Sequence, residues 1–305
     1  MNKMNTDLHA DEAVTGMSDQ NNTDQNNTGQ NFAGQGSTGQ NASGQSASAD
    51  DDRKKPTGTA LVAVPTGSLT GIERDPREEV WGVLHNAKRT EAEVPRTWRR
   101  RKVAAKREEA VQAFDQLRTQ FLQAVRSENL RRIAVAAPRS GSGATFTAVN
   151  LARSLSRVPG CKTVLLDLNL RAPAVAETIG VAAEGNVDEF LTGEISFFQH
   201  VVRYNDGLAL GLSRSARPNA SDLLQSGLVA GAVSEMTHLL KPDVVMLDLP
   251  PMLEYDDLAA VLPHVDGVLL VADGTSTQTK DIEECERLIK NRSKLMGVVL
   301  NRGRT

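Results

Sequence analysis

The 305-residue sequence is poor in cysteine and aromatic residues, and it has no long hydrophobic run. Its two cysteines, Cys161 and Cys285, lack the spacing of a metal site or a disulfide framework, which suits a reducing compartment. No apolar stretch approaches the roughly 20 residues of a membrane span, and the polar N-terminus does not resemble a signal peptide. We therefore expect neither a secreted nor a membrane-spanning protein.

The sequence also lacks a strong excess of either charge. Its 35 basic and 38 acidic residues give a net charge of −3 at pH 7, which argues against a protein that mainly binds nucleic acid. The five histidines are scattered without ligand spacing. We therefore expect no transition-metal site.

What the N-terminal part contains instead is a polar repeat. Residues 18–50 have Phe32 as their only large apolar residue, and blocks of five residues end at Gln30, Gln35, Gln40 and Gln45. A repeat so short and polar has no face to bury, so its ordering entropy is not offset. We predict a disordered Asn/Gln/Gly/Ser-rich tail over residues 1–57, with a self-associating Gln/Asn-rich segment as the alternative.

A basic segment closes the predicted linker over residues 58–102. Residues 96–107 contain seven basic residues and no acid. The strongest part of this segment comprises Arg96, Arg99, Arg100, Arg101 and Lys102. One interpretation is a solvated start of the helix that apolar periodicity predicts over residues 103–127. The other is contact with an anionic membrane surface, where Trp98 suits the interface.

After Leu130 the pattern changes to short apolar runs that alternate with helical stretches. Buried strands are predicted at 132–137, 163–167, 208–212, 243–248, 267–272 and 295–300. Helices are predicted at 144–157, 221–240, 254–263 and 277–292. Nearly continuous apolar strands separated by helices indicate a parallel sheet that is covered on both faces. We predict an α/β, doubly wound domain with a mostly parallel sheet, lying within residues 103–305.

Candidate site residues follow three of these strands. The first strand leads into Gly141, Gly143 and Thr145 and then a helix, a pattern that lets backbone N–H groups approach a phosphate. Two further strands end in Asp167 and Asp248, whose carboxylates suit Mg²⁺. Ligands of such sheets bind at the carboxyl ends of the strands. The alternative for each aspartate is a helix cap or a loop anchor.

These motifs, read together, carry a family resemblance. They comprise Gly143-Ala-Thr145, Leu165-Leu-Asp-Leu-Asn-Leu-Arg-Ala-Pro173, Arg217-Pro-Asn-Ala-Ser-Asp-Leu-Leu224, Leu247-Asp-Leu-Pro-Pro251 and Gly297-Val-Val-Leu-Asn301. Residues 114–301 thereby resemble the cytoplasmic domain of the bacterial tyrosine autokinases of capsule and exopolysaccharide synthesis. These kinases belong to a deviant-Walker P-loop class that also holds septum-site and chromosome-partition ATPases. The resemblance implies a P-loop NTPase fold and a site for ATP or ADP with Mg²⁺.

The resemblance also implies residue roles. Thr145, Asp167 and Asp248 would lie on the magnesium side, with Asp167 and Asp248 as the catalytic candidates, and Asn301 would lie on the adenine side. The loop residues Arg139, Gly141, Gly143 and Ala144, together with Arg171, complete the predicted nucleotide-binding set.

Four departures from the family weaken the expected kinase activity. Ala144 stands where the family has a lysine that contacts the β- and γ-phosphates. Asn169 replaces the second acid of an Asp-x-Asp motif, and of a three-residue assembly motif only Arg118 is retained, so the oligomeric state stays open. Tyr204 and Tyr255 are the only tyrosines, so we expect no C-terminal tyrosine cluster. Arg139, five residues before Ala144, either compensates for the lysine or is a solvated loop residue.

The sequence thus predicts a cytoplasmic regulatory component of exopolysaccharide or capsule synthesis or export, which resembles a tyrosine autokinase but has lost kinase activity with the lysine. Its expected partner is a membrane polysaccharide copolymerase on a separate chain, which would place it at the inner face of the plasma membrane. One alternative is an active autokinase or ATPase in which Arg139 or a partner residue replaces the lysine. Another, which the proline-containing motifs disfavour, is a partition-type positioning ATPase.

Overall fold

A central β-sheet organises the chain. In a computed structural model, the described residues are 75–90, 100–217 and 219–303, with backbone alone at 100–107. The predicted tail, Arg96 and Arg99 lie outside the described residues. The strands are β1 His85–Asn86, β2 Arg132–Ala136, β3 Thr163–Asp167, β4 Val202–Asn205, β5 Leu208–Gly211, β6 Val244–Asp248, β7 Gly267–Asp273 and β8 Lys294–Asn301.

Helices connect these strands. They are α1 Arg77–Val83, α2 Arg100–Ser127, α3 Ala144–Leu155, α4 Val175–Ile179, α5 Val187–Leu191, α6 Phe197–His200, α7 Ala220–Gln225, α8 Leu228–Leu240, α9 Asp257–Val261 and α10 Thr279–Ile289, with a 3₁₀ turn at Leu262–His264. No helix among the described residues is long and apolar enough to cross a membrane.

The sheet has the strand order β1-β4-β5-β3-β6-β2-β7-β8. Among the described strands only β4 and β5 pair in antiparallel fashion, and an isolated antiparallel bridge joins Arg89 to Val181. The predicted α/β fold with a mostly parallel sheet is confirmed. Its central strands β3 and β6 are buried along their whole length, as expected of strands covered on both faces.

Alternate side chains of the central strands enter two separate cores. Ile133 and Val135 of β2 pack on the face that contains α2 and α3, together with Phe121 and Leu151. Ala134 and its neighbours on the other face pack with α8 and α10. The period of two along each strand therefore places helices on both faces of the sheet.

The strand prediction for residues 295–300 was wrong in one respect. The strand exists, but it lies at the edge of the sheet and is not buried, since Val298 and Leu300 are 46% and 63% exposed. An apolar run indicates a strand but does not show that a second neighbour covers it. The single helix predicted over 221–240 is two helices, separated at Gly227, whose φ of 76° lies in the left-handed region.

Residues 75–90, within the segment predicted as a linker, contribute to the same sheet. β1 pairs in parallel with β4, and Trp81 of α1 is almost fully buried. The Trp81 indole Nε1 donates to the Leu240 carbonyl oxygen at 2.9 Å. Elements of two and seven residues are too short for a periodic apolar pattern to indicate them.

Candidate functional site

The loop between β2 and α3 has the backbone shape of a phosphate-binding loop. Gly141 and Gly143 have φ angles of 77° and 96°, in the left-handed region that favours glycine. The Asn301 side chain from β8 donates from Nδ2 to the Ser142 carbonyl oxygen at 3.0 Å. A Cβ atom added to Gly143 would collide with that Asn301 side chain, so the close approach requires glycine there.

Two buried carboxylates lie beside this loop, at the carboxyl ends of neighbouring strands. Asp167 of β3 is the parallel partner of Asp248 of β6, and both are fully buried. Thr145 Oγ1 donates to Asp248 Oδ2 at 2.7 Å, and the Val175 backbone N–H donates to Asp167 Oδ2 at 3.0 Å. The sequence prediction that Thr145, Asp167 and Asp248 share one edge of the sheet corresponds to this arrangement.

Burial controls the protonation of this pair. Desolvation raises the pKa of Asp167 to about 7. Desolvation, with the Asp167 charge as a second cause, raises the pKa of Asp248 well above its usual value. Two like charges so close together cannot both ionise easily without a cation.

Three buried oxygens at this edge receive no hydrogen bond from any described residue. They are Asp167 Oδ1, Asp248 Oδ1 and Asn169 Oδ1. A buried polar atom without a partner costs about 1–3 kcal/mol, so such a cluster indicates a ligand. Mg²⁺ prefers oxygen ligands and is usually held by one or two carboxylates together with phosphate oxygens and water. The residues present fit that ion.

The protein alone does not provide a closed metal cage. Among the described residues, no three histidine, cysteine, aspartate or glutamate side chains converge as metal ligands. Asp167 and Asp248 would therefore hold Mg²⁺ only with further oxygens from Thr145, water or a phosphate-bearing ligand. This donor set is typical of Mg²⁺ in phosphate sites.

The two predicted nucleotide-binding arginines lie at the cavity, but acidic side chains already hold them. Arg139 Nη2 donates to Asp281 Oδ1 at 3.0 Å. Arg171 donates from Nε and Nη2 to the Asp257 carboxylate, at 2.7 and 3.0 Å, and from Nη2 to the Ser221 hydroxyl. Both partner acids are almost fully buried, so these pairs belong to the folded scaffold.

The cavity itself has a volume of about 370 Å³. Its walls include residues 139–146, Asn169, Arg171, Pro251 and Tyr255. Ala144 brings only a methyl group to this wall, whereas the resemblance leads us to expect a lysine ammonium group. Of the described cations, only the two acid-paired arginines line the cavity.

Sequence reasoning missed two neighbours of the loop. The Glu254 carboxylate accepts hydrogen bonds from the Ser140 backbone N–H at 2.7 Å and from the Ser140 hydroxyl at 2.5 Å. The Tyr255 ring lies 4.3 Å from the Arg171 guanidinium carbon. Glu254 and Tyr255 follow the double proline by only three and four residues, but the sequence does not indicate which residues they contact.

The retained residue of the assembly motif is used inside the domain. Arg118 of α2 donates to Asp115 Oδ1 and to the Ser154 carbonyl oxygen of α3, each at 3.1 Å. Asp115 also accepts a hydrogen bond from the Ser154 hydroxyl at 2.6 Å. These contacts join α2 to α3.

Comparison with known proteins supports this picture. No protein-family profile matches the sequence. AmsA of Erwinia amylovora, which is named as a tyrosine-protein kinase, has a sequence 27% identical over 63% of this chain. The chain spans only 26% of the length of AmsA. The tyrosine-protein kinase CpsD of Streptococcus pneumoniae is 29% identical over 57% of this chain and 77% of CpsD.

Two further comparisons define the class. The chromosome-partitioning ATPase Soj of Thermus thermophilus is 32% identical over 56% of this chain and 69% of Soj. The crystal structure of the VpsO kinase domain matches 68% of this chain and 99% of that domain, with a TM-score of 0.59 and 26% identity. The chain therefore belongs to the deviant-Walker P-loop NTPases, the class of Soj, and it is similar to bacterial tyrosine kinases within that class.

Proposed function

We propose that this protein is a regulatory component of exopolysaccharide or capsule synthesis or export that has kept the nucleotide site of a tyrosine kinase without its kinase activity. The observation that carries the proposal is Ala144 in the phosphate-binding loop. A charge-assisted hydrogen bond is worth about 1.5–3 kcal/mol, so its loss lowers nucleotide affinity by about ten- to a hundredfold. Phosphoryl transfer loses more, because the lysine also stabilises the transition state.

The residues that remain support binding better than transfer. Asp167, Asp248 and Thr145 would hold Mg²⁺, which neutralises phosphate charge when bound. The loop N–H groups and the start of α3 favour an anion. Because Arg139 and Arg171 are paired with Asp281 and Asp257, the charge of the lost lysine is not replaced by a free cation among the described residues.

We place the protein in the cytoplasm, at the inner face of the plasma membrane, beside a membrane polysaccharide copolymerase on a separate chain. The basic segment at Arg96 and Arg99–Lys102 supplies the contact with anionic lipid, at about 1 kcal/mol for each cation near the surface.

Sedimentation with vesicles tests the membrane contact. Replacing residues 99–102 with glutamine should weaken sedimentation with phosphatidylserine-containing vesicles, because four cations are lost. The matched control replaces four exposed cations elsewhere in the domain, Arg126, Arg131, Lys241 and Lys290. Equal loss in both variants would indicate a general charge effect, and no loss in either would remove the proposal.

The second candidate function is an active autokinase or ATPase. The observation that favours it is the retained Asp167–Asp248 pair with its unpartnered oxygens. Arg139, if released by Asp281, or a residue from a partner would then replace the lysine. A partition-type ATPase is a third candidate, supported by the similarity to Soj.

Isothermal titration calorimetry with Mg-ADP and Mg-ATP separates these functions. We expect weak binding and no hydrolysis by the native protein. Ala144→Lys should raise nucleotide affinity about ten- to a hundredfold, whereas the uncharged control Ala144→Gln should not. ATP hydrolysis by the native protein that disappears in Asp167→Ala would overturn the regulatory proposal. Loss of that hydrolysis in Arg139→Gln as well would favour compensation by Arg139.

A further inference from the structure

Glu254 follows a segment that backbone hydrogen bonds join to the start of the phosphate-binding loop. The backbone N–H groups of Leu249, Met252 and Leu253 donate to the carbonyl oxygens of Val135, Ala137 and Pro138, at 2.9–3.0 Å. The segment after β6 therefore runs alongside the start of the loop. This path ends with the Glu254 carboxylate on both the backbone N–H and the hydroxyl of Ser140.

This carboxylate is an anion held on an anion-binding loop. The hydrogen bonds from the Ser140 hydroxyl and N–H are the main causes that lower the pKa of Glu254. The side chain is therefore charged at neutral pH, and it occupies two donors that lie at the beginning of the loop. A phosphate group in the same place would have to displace it.

The strand order indicates which phosphate would meet Glu254. Asn301, the expected adenine-side residue, ends β8 on one side of β2, whereas Asp248 and Asp167 end β6 and β3 on the other. A nucleotide that reaches from Asn301 to the carboxylates must extend its phosphates from the β8 side toward the β6 side. Glu254 follows β6 and accepts hydrogen bonds from Ser140 in the cavity wall, so the last phosphate of such a nucleotide would approach it more closely than the first.

The charges around the cavity favour a ligand with two phosphate groups over one with three. Ala144 carries no charge, and the cations Arg139 and Arg171 are already paired with acids. A third phosphate adds a negative charge next to the Glu254 carboxylate, and like charges in proximity disfavour the ionised state of both. A diphosphate ends before it reaches that contact.

We infer that Glu254 makes this pocket selective for a nucleoside diphosphate over the corresponding triphosphate. The inference rests on the proposed nucleotide binding and assigns its ligand class. Glu254 acts by occupying the Ser140 donors and by repelling a terminal phosphate. A diphosphate does not extend as far as the Ser140 backbone N–H and hydroxyl, so it does not compete with Glu254 for them.

Calorimetric titration of Mg-ADP and Mg-ATP into native protein and Glu254→Gln tests the inference. We expect the native protein to prefer ADP, and Glu254→Gln to bind ATP about tenfold more tightly with little change for ADP, because glutamine removes the repulsion. The matched control is Asp256→Asn, which removes an exposed charge from the same loop without a described side-chain contact to Ser140. It should leave the ratio of the two affinities unchanged.

The same titrations in an Ala144→Lys background distinguish the two failures. If the native protein binds neither nucleotide but the lysine variant binds both, the proposed function fails. The selectivity can then still be read from whether adding Glu254→Gln shifts the ratio toward ATP. If Glu254→Gln does not shift the ratio in either background, or if Asp256→Asn shifts it equally, the inference about Glu254 is wrong. If neither background binds nucleotide, both proposals fall.

Discussion

Strands β3 and β6 carry charged residues at both of their ends, and the two ends differ in how those charges are paired. At the amino ends, Lys162 is 3% exposed and donates to the Asp206 carbonyl oxygen at 2.7 Å and to Glu78 at 2.8 Å. Its ammonium group also lies 5.0 Å from the centre of the Trp81 ring. A carbonyl oxygen, a carboxylate and the face of an aromatic ring thus surround this buried ammonium group.

The acid at the same end is equally well paired. Asp243 Oδ2 accepts hydrogen bonds from the Lys162 backbone N–H at 2.7 Å and from Arg77 at 2.9 Å. At the carboxyl ends, by contrast, Asp167 and Asp248 are buried side by side, each with one unpartnered oxygen.

The charges at the amino ends stabilise the fold through partners within the chain, whereas those at the carboxyl ends lack such partners and are suited to binding a ligand. A buried charge stabilises a protein only when its partners replace the lost water. The amino ends meet this condition within the chain itself. The carboxyl ends do not, and binding sites commonly retain such locally unfavourable groups.

The largest expected effect comes from breaking the amino-end cluster at Trp81. Trp81→Ala should lower the free energy of unfolding by about 3–5 kcal/mol, because it removes a buried ring and its hydrogen bond to Leu240. Urea unfolding followed by circular dichroism measures this. Val83→Ala, at a 63% exposed position of the same helix, is the control. Equal costs in both variants would mean that α1 does not anchor residues 75–90 to the sheet.

The amino-end cluster also shows the limit of prediction from sequence. The strands β2, β3, β6 and β7 were predicted because strands buried on both faces appear as continuous apolar runs. His85-Asn86 of β1 is polar and two residues long, so no such run marks it. Its place in the sheet depends on the Val202–Asn205 strand, which is more than a hundred residues away.

The candidate site was likewise predictable from the sequence only in part. Thr145, Asp167 and Asp248 could be expected at one edge, because parallel strands end there together. The acids that hold Arg139 and Arg171 could not be identified, because the paths of the loops decide which side chains meet. A cluster of charged residues in the sequence does not reveal whether its charges are already paired.

A smaller effect, of opposite sign, is expected at the carboxyl ends. Asp248→Asn should raise the free energy of unfolding of the ligand-free protein by about 1–3 kcal/mol at pH 8, because a neutral amide replaces a carboxyl group whose ionised form is disfavoured by burial and by the Asp167 charge. The Thr145 hydroxyl can still donate to the new amide oxygen. The same substitution should weaken the stabilisation by Mg-nucleotide, since one proposed magnesium ligand is lost. Thermal and urea unfolding with and without Mg-ADP measure both changes.

The pH dependence of this gain tests its cause. Burial and the Asp167 charge raise the pKa of Asp248 well above its usual value, so native Asp248 holds a proton that the unfolded chain has released above about pH 4. The native state therefore binds more protons near neutrality, so Asp248 lowers the stability of the native protein as the pH rises, and Asp248→Asn removes this loss, whereas the titration of Asp167 is present in both proteins. Burial lowers the pKa of His200 to about 4, which adds an opposing slope at the acidic end, but native protein and variant share it. The difference between them should grow from pH 6 to pH 8, whereas the exposed control Asp256→Asn should show no such trend. A gain that is constant with pH would mean that the carboxyl-end pair carries no strained charge, and the contrast between the two ends of β3 and β6 would then be one of packing alone.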